Sequence, residues 1–125
     1  MKKIFIFLLI FFIAGCSNKT LNTTFDGSKV VNDNQFVMEY EILNTTYTEE
    51  LELKKDEIIS VEIVNNSGNL DIEVREKDGE KVYKGNGVSS SNFKLIIPKD
   101  GIYEFSVTGE KAKGSVSFKK EESWF

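Results

Sequence analysis

The sequence predicts an all-β protein: an antiparallel β-sandwich, jelly-roll-like, of about eight strands. Three observations carry this expectation. From Gln35 onward, apolar residues recur at every second position in short runs, the spacing that sends successive side chains to opposite faces of a strand. Clusters of Gly, Asn, Asp and Ser separate the runs, supplying the backbone conformations that turns require. No segment beyond the first fifteen residues sustains a helical period.

The N-terminal segment stands apart. Lys2 and Lys3 precede a ten-residue apolar run, Ile4 to Ile13, which ends in the small residues Ala14 and Gly15. A membrane-spanning helix needs about 20 apolar residues, so this run has the length of a signal-peptide h-region instead. A cleaved helical signal peptide is therefore expected over 1–15. Residues 16–34 are rich in Asn, Thr, Ser, Asp and Lys, with Leu21, Phe25, Val30 and Val31 isolated among them. They read as a polar tether reaching about 25 Å on average. The alternative is that 25–31 adds an edge strand.

The sandwich domain is expected over 35–125. Phe36, Met38, Tyr40 and Ile42 alternate with Val37, Glu39, Glu41 and Leu43. Leu51 and Leu53 follow between charged residues. Ile59, Val61 and Ile63 form the most apolar strand, and Leu70, Ile72 and Val74 alternate with Asp71, Glu73 and Arg75. A short strand lies at 81–84. Phe93, Leu95 and Ile97 then alternate with Asn92, Lys94 and Ile96. Tyr103, Phe105 and Val107 make another strand, and Val116 with Phe118 the last. Asn65-Asn66-Ser67-Gly68-Asn69 is expected to separate two strands, and Asp78-Gly79 and Asp100-Gly101 to make turns. Pro98 ends its strand because it cannot donate to the ladder. Strands with one buried face each imply two packed sheets.

Composition bounds the function. The sole cysteine, Cys16, precedes the domain, so no disulfide within the chain can form. Roughly 90 residues must therefore hold together by one core, burying about 60% of the unfolded chain's surface. Loss of Lys2 and Lys3 with the leader would take the net charge from −4 to −6. A negative chain is a poor nucleic-acid binder, and none is expected.

The chain has no histidine. That removes the commonest general base, the usual zinc ligand and every Ser-His or Cys-His nucleophile system. Asp71 and Glu73 share one strand face, continued by Arg75. They could in principle serve as a carboxylate pair for glycoside hydrolysis, but a charged solvent face explains them as well. Asp33, Asp78 and Asp100 sit in turns without the loop pattern a calcium site needs. No catalytic residue, metal ligand or cofactor is assigned. Sugar binding would call for exposed rings, and parity leaves Tyr83 on an outer face, with Trp124 and Phe125 at the tail. That aromatic pair either packs over the end of the sandwich or forms a docking tail for a partner or the membrane interface.

Two resemblances add to these readings. Ile13-Ala14-Gly15-Cys16 resembles the lipobox of bacterial lipoprotein precursors. It implies cleavage between Gly15 and Cys16, lipid attachment at Cys16, and anchoring to the outer face of the bacterial cell membrane. Ser17 follows, so the acidic residue that retains some lipoproteins at an inner membrane is absent. The stretch from Ser60 to Phe118 resembles the small jelly-roll sandwiches of bacterial pre-peptidase C-terminal domains, and more loosely the GOLD domains. Ser67-Gly68-Asn69-Leu70-Asp71-Ile72, Asp78-Gly79 and Ile97-Pro98-Lys99-Asp100-Gly101-Ile102-Tyr103-Glu104-Phe105 carry that likeness. It implies an accessory or binding domain without catalysis, and no functional residue transfers with it. The expected protein is a membrane-anchored surface lipoprotein, not an enzyme, whose sandwich binds a protein or envelope component. The alternative is a carbohydrate-binding or substrate-capture lipoprotein with a glycan partner.

Overall fold

The computed structural model describes residues 24–121; Gly15, Cys16, Trp124 and Phe125 lie outside the described residues. Seven strands follow in order: β1 (Thr24–Asn32), β2 (Gln35–Asn44), β3 (Thr46–Leu53), β4 (Ile58–Glu76), β5 (Lys81–Gly85), β6 (Ser91–Ile96) and β7 (Gly101–Lys120). Every pairing between them is antiparallel.

β4 and β7 are long enough to serve both layers. They pair with each other from Ile59↔Lys120 to Glu76↔Tyr103, with register shifts around Ser67. The first half of β4 and the second half of β7 lie in a layer ordered β1-β2-β7-β4-β6. Their other halves lie in a layer ordered β3-β7-β4-β5. The sandwich is thus one hydrogen-bonded sheet folded over at a corner. The stretch Asn65–Asn69, expected to separate two strands, is that corner within β4: two bulges bend the strand without ending it. Two expected strands likewise merge in β7, and β1 is added, so about eight expected strands become seven elements. At the opposite end, the short loop 54–57 carries the chain from β3 to β4; the Asp56 and Ile97 N–H groups donate to Ile97 O and Glu57 O.

The interior is made of the alternating residues. Phe36, Leu43, Ile59, Leu70, Val74, Ile97, Tyr103, Phe105 and Val107 are fully buried, and among the described residues no polar or charged residue is. Phe118 stacks on Phe36 and tilts against Phe105, with centroids 5.8 and 5.0 Å away. Both open edges between the layers are closed by side chains. On one, Phe25 meets Tyr47 edge-on at 5.1 Å, and Lys29 lies over the Tyr47 ring while pairing with Glu49 at 3.0 Å. On the other, Tyr83 packs against Phe93 at 4.9 Å.

Three expectations change. The segment offered as tether or edge strand forms β1 over Thr24–Asn32, where only Phe25 finds partial burial. Tyr83 turns inward rather than outward, because its partner across the ladder is the core residue Val74. In β2 the core residue is Leu43, not Ile42. Gly27 pairs with Tyr40 and Asp26 with Ile42, so Glu41 is an extra residue that reverses the parity beyond it. Leu43→Ala is accordingly expected to cost about 2–5 kcal/mol, and Ile42→Ala about 1 kcal/mol or less. Urea unfolding of the two variants checks this; equal costs would remove the bulge.

Candidate functional site

A large concavity lies at the end of the sandwich opposite the corner. It is a cleft of about 770 Å³ between the β4–β5 hairpin and the segment that leaves β6. Its apolar surface comes from Val82, Ile96 and Pro98, with the buried Tyr103 behind them, and its rim carries Lys77, Asp78, Glu80, Lys81 and Lys99.

The walls are held in place. The Glu76 N–H donates to Glu80 O at 2.9 Å and the Gly79 N–H to Glu76 O at 2.8 Å, closing the hairpin turn. Asp78 adopts φ of 60° in that turn, a conformation that Asp tolerates better than most residues. The Lys77 N–H donates to Ile102 O at 2.8 Å, tying the hairpin to β7. The Tyr103 hydroxyl donates to Lys99 O at 2.7 Å, and Lys99 pairs with Glu76 at 3.4 Å. Lys77 pairs with Glu50 at 3.2 Å. The hydrogen bond and charge of Glu50 raise the Lys77 ammonium above its ordinary range. The cleft therefore offers an apolar floor inside a rim of both signs, a surface suited to burying an apolar side chain of a partner.

The carboxylates singled out from the sequence serve elsewhere. Asp71 accepts from the Gly87 N–H at 2.7 Å and from the Asn69 side-chain amide at 3.1 Å, which holds the β5–β6 loop. Glu73 faces Arg75 at 3.3 Å. Asp100 accepts from the Lys55 N–H at 2.8 Å. The three turn aspartates are not brought together, and among the described residues no group of three ligand side chains could hold a metal ion. No described aromatic ring is exposed, since every Phe and Tyr from Phe25 to Phe118 is buried or half-buried. The cleft itself was not singled out from the sequence. Its one visible signal was Ile96, an apolar residue at an outward position of β6.

A second, shallower hollow of about 430 Å³ lies near the corner, lined by Tyr40, Val64 and Gly114 among others. The Tyr40 hydroxyl is buried there without a hydrogen-bond partner. Burial pushes its phenol from 10.0 up to about 12. The folded value lies above the unfolded one, so stability is lost as pH rises from the unfolded value towards the folded one. Tyr40→Phe removes an unpaired buried donor. It is expected to leave stability unchanged or raise it by up to about 1 kcal/mol at neutral pH, and to flatten the alkaline decline. Urea midpoints at neutral pH and in the alkaline range check both parts.

No family model matches the chain, and no curated protein does. Solved structures do resemble it. One is the periplasmic lysozyme inhibitor PliG of Aeromonas hydrophila, an inhibitor of g-type lysozyme. It is 16% identical, with 78% of this chain and 88% of that one covered, at a TM-score of 0.47. Another is the pre-peptidase C-terminal domain of the collagenase from Bacillus anthracis, at 11% identity, 79% and 89% coverage and a TM-score of 0.46. A third is TmCBM61 in complex with β-1,4-galactotriose, at 15% identity, 82% and 73% coverage and a TM-score of 0.39. The likenesses concern the fold, and no residue role follows from them.

Proposed function

We propose that the chain is a lipid-anchored bacterial surface lipoprotein whose β-sandwich binds a protein or another envelope component, without catalysis, through the end remote from the membrane. The N-terminal motif Ile13-Ala14-Gly15-Cys16 supports the anchor. The observation that carries the rest is where the chain enters the sandwich. β1 begins at Thr24, opposite Asn44, at the corner where β2 passes into β3. Lipid on Cys16 would leave residues 17–23 between the anchor and β1, at most about 25 Å of chain. The corner then faces the bilayer, and the 770 Å³ cleft faces outward. The engaged state of Asp71 and Glu73 favours binding over hydrolysis. The inward packing of the described rings favours a protein partner over a glycan, which would need a ring to stack on.

A photo-crosslinking residue placed at Lys81, on the cleft rim, or at Lys111, at the corner, tests the arrangement on intact cells. Discrete adducts are expected from position 81 and not from 111. Equal labelling from both positions, or adducts from the corner alone, would reject the outward site.

A further inference from the structure

β1 is the least defended edge of the sandwich. Its nine residues contain no proline, and among the described residues no strand pairs with it on the side away from β2. The other edge strands are shorter or more heavily charged. β5 has five residues and a register shift, β6 has six, and β3 carries Glu49, Glu50 and Glu52. Such features blunt an edge, whose unpaired N–H and C=O groups otherwise recruit another strand. Lys29 is the one cation of β1, and it is turned to Glu49 and the Tyr47 ring. Val30 and Val31, one on each face, are 49% and 40% exposed.

The ladder shows which backbone groups are free. The Lys120 N–H donates to Asn34 O, next to the pair Gln35↔Lys119. Even residues of β2 therefore bond to β7 and odd ones to β1, since the bonded side alternates along an antiparallel strand. Val37 lies opposite Val30 and Gln35 opposite Asn32, so Val30 and Asn32 turn their backbone groups to β2. The N–H and C=O groups of Lys29 and Val31 point the other way, to the open edge. The Val31 side chain turns inward, because its partner is the core residue Phe36.

Where β1 ends, a further hollow of about 340 Å³ opens. Its lining holds four carboxylates, of Asp33, Glu50, Glu52 and Glu57, and two ammonium groups, of Lys54 and Lys120. Glu50 is paired with Lys77, and Glu57 accepts from the Lys54 N–H. Asp33 and Glu52 have no ion-pair partner among the described residues.

We propose that β1 takes up an extended segment of a partner protein as an added strand, with an apolar side chain over Val31 and a basic residue in the acidic hollow beyond Asn32. Backbone pairing supplies the affinity and the two side-chain positions the selectivity. A second copy of β1 does not fit. Its one cation is already engaged, and the net charge of −4 sets copies against each other. This surface is distinct from the cleft, and its occupancy does not depend on lipid at Cys16.

The probe is a blocked, fluorescently labelled peptide of alternating threonine and valine ending in two arginines. It is titrated with the full chain in detergent micelles and read by anisotropy. Saturable binding is expected. Replacing the arginines by glutamates should weaken it about tenfold, and the double change Asp33→Lys with Glu52→Lys should reverse that preference. N-methylation of alternate peptide nitrogens should abolish binding in one phase and spare it in the other, because only one set faces β1. Val31→Lys should abolish binding. These are surface changes expected to fold normally, which circular dichroism verifies. No saturable binding, equal effects of the two N-methyl phases, or an unaltered preference in the double variant would each overturn the proposal. So would a dimer in sedimentation equilibrium that Val31→Lys dissolves, since a second copy would then occupy β1.

Discussion

Replacing Gly114 with alanine is expected to destabilise the sandwich by about 3 kcal/mol or more, at the upper end of single-residue effects. Gly114 has φ of 148°, where an L side chain is strained. It lies where β7 bends between the layers, opposite Tyr40 on one side and Asn65 on the other. An added Cβ would fall inside van der Waals distance of the Val64 carbonyl oxygen and 2.9 Å from its carbon. These are backbone atoms of the neighbouring strand and cannot turn aside. Relief requires β4 and β7 to part at the corner that joins the two layers, next to the fully buried Ala112. Gly87→Ala is the control. It also has positive φ, but its Cβ would meet only the Asn69 side-chain oxygen, at 3.2 Å. The expected cost there is about 1 kcal/mol. Urea unfolding followed by circular dichroism measures both. A cost for Gly114→Ala no larger than that of Gly87→Ala would remove the corner from its central place in the fold.

Cys16→Ala is expected to abolish membrane attachment by lipid while leaving the sandwich intact. In the proposed lipoprotein, two acyl chains contribute about 0.8 kcal/mol per buried methylene, enough for stable anchoring where one chain gives only marginal binding. In that proposal the cleaved chain carries a charge of −6, which an anionic surface repels, and among the described residues no helix is long and apolar enough to cross a membrane. Metabolic labelling with radioactive palmitate should mark the wild-type chain and not the variant. The wild type should partition into the detergent phase and the variant into the aqueous phase. The melting temperatures should agree, because seven residues separate Cys16 from β1. A labelled Cys16→Ala chain would end the lipoprotein proposal, while the description of the fold would stand unchanged.

Much of the fold is legible residue by residue. Leu70, Ile72 and Val74 alternate with charged neighbours, and all three are buried. Tyr103, Phe105 and Val107 follow the same rule, as do Ile59, Val61 and Ile63. Parity suffices for these because the ladder beside them keeps its register. It fails at Ile42 and Leu43, where one extra residue in β2 exchanges the faces. At Phe93 parity gives the inward face, and the ring is only half-buried against Tyr83 because it lies at an edge where the core thins. The cleft was illegible for a different reason: Val82, Ile96, Pro98 and Tyr103 come from three separate strand regions and share no local pattern.

Period-two alternation, the turn residues and the absence of histidine thus establish an all-β chain, its buried faces and the chemistries its side chains lack. Cys16 and the apolar leader belong to the same class of local signal. Only the tertiary structure shows that 58–64 and 69–76 are one bent strand, that 24–32 pairs as an edge, and that a cleft opens opposite the corner. Alternation is a property of neighbours along the chain. A bulge, a corner and an edge pairing depend on which backbone lies alongside, and that is decided only when distant strands meet.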